Sequence, residues 1–108
     1  MRTEQVKFEQ EIPALTGYIL SEEVPFNGHI KSILIHFPLG CNGLVDVSVE
    51  YDQHHICPRE GYVNLNDATP LFEVDIEVEK GKPLEVEFRN ADDTYSHSPK
   101  VLVALEEK

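Results

Sequence analysis

The chain has 108 residues, the size of one domain (residues 1–108) built round one hydrophobic core. A hydrophobic fraction of 41% and a charged fraction of 27% exclude wholesale disorder, and no apolar run approaches the roughly 18 residues of a membrane-spanning helix. With 20 acidic residues against 9 basic, the formal charge is −11; that field repels nucleic-acid backbones and anionic lipid, so neither is expected as a partner.

Residues 1–13 mix charge and hydrophobe and hold no apolar segment of the kind that directs export, so a soluble, cytoplasmic protein is expected. Thiols stay reduced there. Cys41 and Cys57 then read most simply as small buried hydrophobes, with a mutual disulfide and metal ligation as the alternatives. No Cys-x-x-Cys pair is present, so a thioredoxin-type motif and a zinc ribbon both lack their signature.

The dominant hydrophobic period is two. In chain order, residues 6–12 alternate weakly through Val6 and Phe8, and residues 15–20 are β-prone but apolar on both faces. Residues 30–37 are also apolar on both faces, with Ile33, Ile35 and Phe37 on one side and Ile30 and Leu34 on the other. Val45, Val47, Val49 and Tyr51 alternate with Asp46, Ser48, Glu50 and Asp52, which is a strand with one dry and one wet face. Residues 62–65 form a short candidate strand. Phe72, Val74, Ile76 and Val78 alternate with carboxylates, as do Leu84, Val86 and Phe88, and residues 101–105 are an unbroken apolar run.

Gly, Pro, Asn and Asp punctuate these segments as turns, and no stretch shows ten residues at helical period. The pattern predicts an all-β fold: a two-sheet antiparallel sandwich of about seven or eight strands, of jelly-roll or other Greek-key type. An immunoglobulin topology is disfavoured, because the chain has no tryptophan and its two cysteines lie close in sequence. In strand layout alone the chain resembles the small jelly-roll modules of carbohydrate-binding and viral or phage structural proteins. Residues 71–89 are expected to form a hairpin, its loop Glu79-Lys80-Gly81 ending on a left-handed glycine. That register sets Asp75 against Glu85 and Glu73 against Glu87.

Two segments hold residue types that could support chemistry. In Asp52–Glu60, His54, His55 and Cys57 are metal-ligand types, and His97 from another loop could join them. A cupin-like centre is not expected, because Cys57 stands where the His-x-His motif needs its second histidine. In Asn90–Pro99, the side chains of Asn90, Asp92, Tyr95 and His97 suit a sugar ligand by hydrogen bonding and ring stacking. No Gly-x-Ser-x-Gly elbow, phosphate-cradling loop or dinucleotide fingerprint occurs, so no catalytic residue and no cofactor is expected.

The doubly apolar segments point to contact between copies, through Ile30, Leu34, Leu102 and Ala104, with residues 101–105 placed as an edge strand. The sequence therefore predicts a non-catalytic interaction module that self-assembles as a homo-oligomer or docks on a larger assembly, with a basic protein surface as one partner. A metal- or carbohydrate-binding protein is the alternative.

Overall fold

A computed structural model describes residues 2–108. Among these residues there is no helix, and eight strands form two antiparallel sheets of four. The strands are β1 (Thr3–Glu9), β2 (Gly17–Glu23), β3 (Gly28–His36), β4 (Val45–Tyr51), β5 (His54–Cys57), β6 (Leu71–Val78), β7 (Pro83–Asn90) and β8 (Lys100–Glu107). One sheet runs β1-β8-β3-β6 and the other β2-β7-β4-β5. β1 pairs with β8, β2 with β7, β3 with β6 and β4 with β5, as though one long hairpin had been rolled up. The result is the all-β sandwich that the period-two patterning predicts.

The core lies between the sheets. Ile30, Ile33 and Ile35 of β3 and Val101, Val103 and Leu105 of β8 face Val45, Val47 and Val49 of β4 and Leu84, Val86 and Phe88 of β7, all fully or almost fully buried. Burying side chains of this size stabilises by roughly 1.5–3 kcal/mol each, which is what holds two flat layers together.

The expected hairpin over residues 71–89 is not formed. Gly81 does take the left-handed conformation, with φ of 86°. The turn it makes, however, carries the chain from β6 in one sheet to β7 in the other. Both strands have one dry face, and a sandwich accepts such strands on either side of its core. Separation also avoids the opposed carboxylates of the hairpin register: Asp75 of β6 meets Lys31 at 3.2 Å, and Glu87 of β7 accepts a 2.8 Å hydrogen bond from the Tyr62 hydroxyl. Leu84, Val86 and Phe88 are core residues, whereas Phe72, Val74 and Ile76 on the edge strand β6 are half-buried.

Two strand assignments also change. Residues 62–65 make only an isolated bridge, Val63 to Val47. The fifth strand is instead His54–Cys57, joined to β4 by Asp52 and Gln53, both at positive φ. That is the dihedral requirement of a tight hairpin turn, met here without the glycine that normally signals it.

A bulge corrects the reading of β3. Its pairing with β8 steps from Ile30–Leu105 to Ser32–Ala104, so Lys31 is an extra residue opposite β8, while against β6 the pairing steps from Ile30–Ile76 to Ser32–Glu73 and the extra residue lies on β6. One inserted residue inverts side-chain alternation. Ile30 therefore joins Ile33 and Ile35 in the core, fully buried, and is no surface contact. β8 is likewise not an edge strand: it lies between β1 and β3, because the N-terminal segment pairs along it from Thr3–Glu106 to Glu9–Lys100. Leu34, Leu102 and Ala104 do face outward and are half-buried.

Candidate functional site

The loop Ala91–Pro99 turns Asp92 and His97 inward and leaves Asp93, Thr94, Tyr95, Ser96 and Ser98 exposed. The Asn90 side-chain amide donates to the carbonyls of Ile12 at 3.0 Å and Tyr95 at 2.9 Å, and its oxygen accepts from the Asp92 amide. Asp92 accepts from the amides of Thr94 and Tyr95, and its other oxygen lies 2.9 Å from His97 Nε2. The His97 hydrogen bond, with those amides, holds the Asp92 carboxyl below its ordinary pKa. Backbone bonds between Ile12 and His97 run in both directions. Asn90, Asp92 and His97 are thus buried and engaged in pinning this loop to the β1–β2 connection. Of the four residues expected to bind a sugar, only Tyr95 is exposed.

The metal-ligand candidates do not converge. His55 lies on the outer face of its sheet, with Nδ1 2.9 Å from the Ser48 hydroxyl and Nε2 3.0 Å from Glu50. Cys57 is buried, and burial pushes its thiol up to about 11. His54 is exposed at the start of β5, and His97 belongs to the Asp92 network beside Gly40. Among the described residues no three His, Cys, Asp or Glu side chains are placed to share a metal ion. Cys41 and Cys57 are both free, so the disulfide alternative is not realised. Burial, and then the Asp92 charge, raise the Cys41 thiol as well.

A concavity lies elsewhere. An open cleft of about 660 Å³ runs along the outer face of β2, β7 and the start of β4. Leu15, Thr16 and Ile19 line one wall, Ala91 closes one end, and Asp46, Glu87 and Arg89 supply its charges. The strand pairing sets these positions. Arg89 is the register partner of both Gly17 and Asp46, and Glu87 that of both Ile19 and Ser48. The segment after β5 covers the far side. Its Tyr62 ring lies under the Arg89 guanidinium, 4.9 Å from the centroid, while Asn64 donates to Asp46 at 2.9 Å.

Beyond Tyr62 the same face carries Glu50 opposite Glu85. The site is therefore a half-apolar groove whose floor carries two carboxylates and one guanidinium, with further carboxylates beyond it. It can hold the aliphatic stem of a long cationic side chain against Leu15 and Ile19 while carboxylates meet its head group.

None of these residues is singled out by a motif. Asp46, Glu87 and Arg89 were legible only as the wet faces of two strands about forty residues apart, and which strands are neighbours is not a local property. Leu15 and Ile19 look in the sequence like core residues.

Fold and site together define a two-sheet β-sandwich with a charged, apolar-walled cleft on one outer face. No protein-family model and no curated protein matches the sequence. Among solved structures, the fold is similar to a Yersinia pseudotuberculosis-derived mitogen, with a TM-score of 0.55 at 7% identity, covering 97% of this chain and 88% of the mitogen. It is also similar to FlhE, with a TM-score of 0.51 at 12% identity, covering 97% of this chain and 98% of that one. At these identities the likeness is one of fold.

Proposed function

We propose that the chain is a non-catalytic interaction module that docks a basic protein surface on the outer face of β2-β7-β4-β5. The observation that carries this reading is the cleft itself, where Asp46 and Glu87 sit beside the exposed side chains of Leu15 and Ile19. The net charge of −11 draws cationic partners toward the molecule, and the cleft gives them a place to seat.

Oligoarginine is a suitable probe, because it reports the charge component alone. The pair Asp46→Asn and Glu87→Gln is compared with Glu73→Gln and Asp75→Asn, an identical charge change on the other sheet. The cleft pair is expected to weaken binding about fivefold more than the control pair, the equivalent of two modest ion pairs. Equal losses from the two pairs would reject the cleft as the docking place.

A second reading, self-assembly, is supported by one further observation. Leu71, Leu34 and Leu102 are register partners in a row across β6, β3 and β8, and Leu71 is 56% exposed. Light scattering in moderate salt tests it: a dimer mass lost on Leu102→Glu supports the row as a contact, and a 12.3 kDa species at high concentration rejects it.

A further inference from the structure

The two ends of the sandwich are chemically unlike. Four loops gather at one end: residues 10–16, 37–44, 58–70 and 91–99. The pairing fixes this, since Glu9 and His36 both meet Lys100, Gly17 meets Arg89, and Val45 meets Asn90. Every exposed large hydrophobic side chain among the described residues belongs to this end. Leu15, Leu39, Leu44, Leu65 and Tyr95 stand on the loops themselves, and Tyr18, Ile19 and Leu71 lie within the first three residues of the strands leaving them. At the opposite end the loop hydrophobics Val24 and Phe26 are buried.

Leu15 sharpens the contrast. It is 71% exposed and holds a left-handed backbone with φ of 55°. Neither burial nor backbone preference favours leucine there, since bulky residues at positive φ are strained. Leu39 is 76% exposed on a neighbouring loop. Side chains that serve neither the core nor the chain's local conformation are available to a partner.

Charge identifies that partner. The four loops contain five carboxylates and one arginine. The exposed carboxylates of Glu11, Asp67 and Asp93 have no Lys, Arg or His within 4.0 Å among the described residues. A second copy of this end would bring like charges together, and an anionic lipid surface would be repelled. We infer that the loop end docks a protein whose own apolar patch is ringed by lysine and arginine. This rests on the proposed docking role and gives the partner its chemistry. The end is about 22 by 21 Å in cross-section, while a stable interface takes roughly 800 Å² from each partner. The contact therefore extends from the loops down the wall of the cleft, which shares Leu15 and Ile19 with them.

The test uses two probes of equal charge: oligoarginine, and a peptide alternating arginine with leucine. The alternating peptide is expected to bind about tenfold more tightly, and the triple variant Leu39→Ser, Leu65→Ser, Tyr95→Ser, which leaves the cleft wall intact, to abolish that difference while oligoarginine affinity stays as it was. An unchanged cooperative thermal melt shows that the variant is folded. Equal binding of the two peptides, or a tenfold difference that survives the triple variant, overturns the inference and leaves the cleft reading standing. Absence of binding by either probe overturns both. Dimerisation of the native chain that the triple variant abolishes would assign the end to a second copy and so also overturn it.

Discussion

His97 Nε2 lies 2.9 Å from Asp92 Oδ2, and both side chains are buried. An ionised carboxylate only accepts, so the imidazole must donate from Nε2. With the Thr94 and Tyr95 amides on its other oxygen, Asp92 is held below its ordinary value of 3.8. A depressed folded pKa means that the stabilisation is complete above the unfolded value and is lost as pH falls through the folded one. Glu9 beside Lys100 and Glu77 beside Lys108 are shifted in the same direction. The protein is expected to lose stability as pH drops below about 4. Asp92→Asn should be less stable than the native chain at pH 7, with the gap closing in acid. Urea midpoints measured from pH 7 to pH 2 check this, and a gap independent of pH would refute it.

The bulge at Lys31 makes two neighbouring residues unequal. Ile30 is fully buried, and Leu34 is half-buried on the outer face. Ile30→Ala should cost about 3 kcal/mol, the transfer of the deleted atoms plus the cavity they leave. Leu34→Ala should cost under about 1 kcal/mol. Denaturant unfolding of both variants measures the difference, and equal losses would contradict the inverted alternation.

How far the sequence carried depends on whether the information was local. Alternation along residues 45–51, 71–78 and 84–90 depends on adjacent residues and identifies strands directly. The bulge at Lys31 and the turn at Asp52-Gln53 carry no glycine or proline to announce them, so Ile30 was placed on the wrong face and β5 was read as a loop. The partner of β6 is decided by sandwich topology rather than by its turn, and for that reason the expected hairpin failed although its glycine was identified correctly. The polar loop Asn90–Pro99 has a composition that suits a ligand, yet Asn90 and Asp92 satisfy backbone groups that would otherwise be buried without partners. The cleft residues become a site only when β2, β7 and β4 lie side by side.

Leu15 offers a case where stability and binding should part. Its φ of 55° is one that asparagine tolerates far better than leucine, and its side chain is 71% exposed, so little burial is lost on replacing it. Leu15→Asn is expected to raise stability by about 0.5–1 kcal/mol. A thermal melt of the single variant checks this, and a lowered midpoint would show that the side chain makes packing contacts its exposure does not suggest.

Gly28 tests the packing of the other end. It opens β3, where it pairs with Val78 of β6 on one side and Glu107 of β8 on the other. A Cβ at this position would lie 2.1 Å from the Glu106 carbonyl oxygen and 3.0 Å from the Glu107 Cα. These are backbone atoms of a central strand, and they cannot swing aside as a flexible side chain would. β8 is held on its far side by β1, with Thr3 paired to Glu106, so relief would require the β1–β8 pair to move as a unit. Gly28→Ala is therefore expected to destabilise by about 3 kcal/mol, at the upper end of ordinary overpacking. Gly61→Ala is the comparison, because its Cβ meets nothing within 4 Å and only the φ of 74° opposes it, at about 1 kcal/mol. Urea unfolding of the two variants decides the point: a Gly28 variant no less stable than the Gly61 variant would mean that β3 and β8 do not approach this closely at the sheet end.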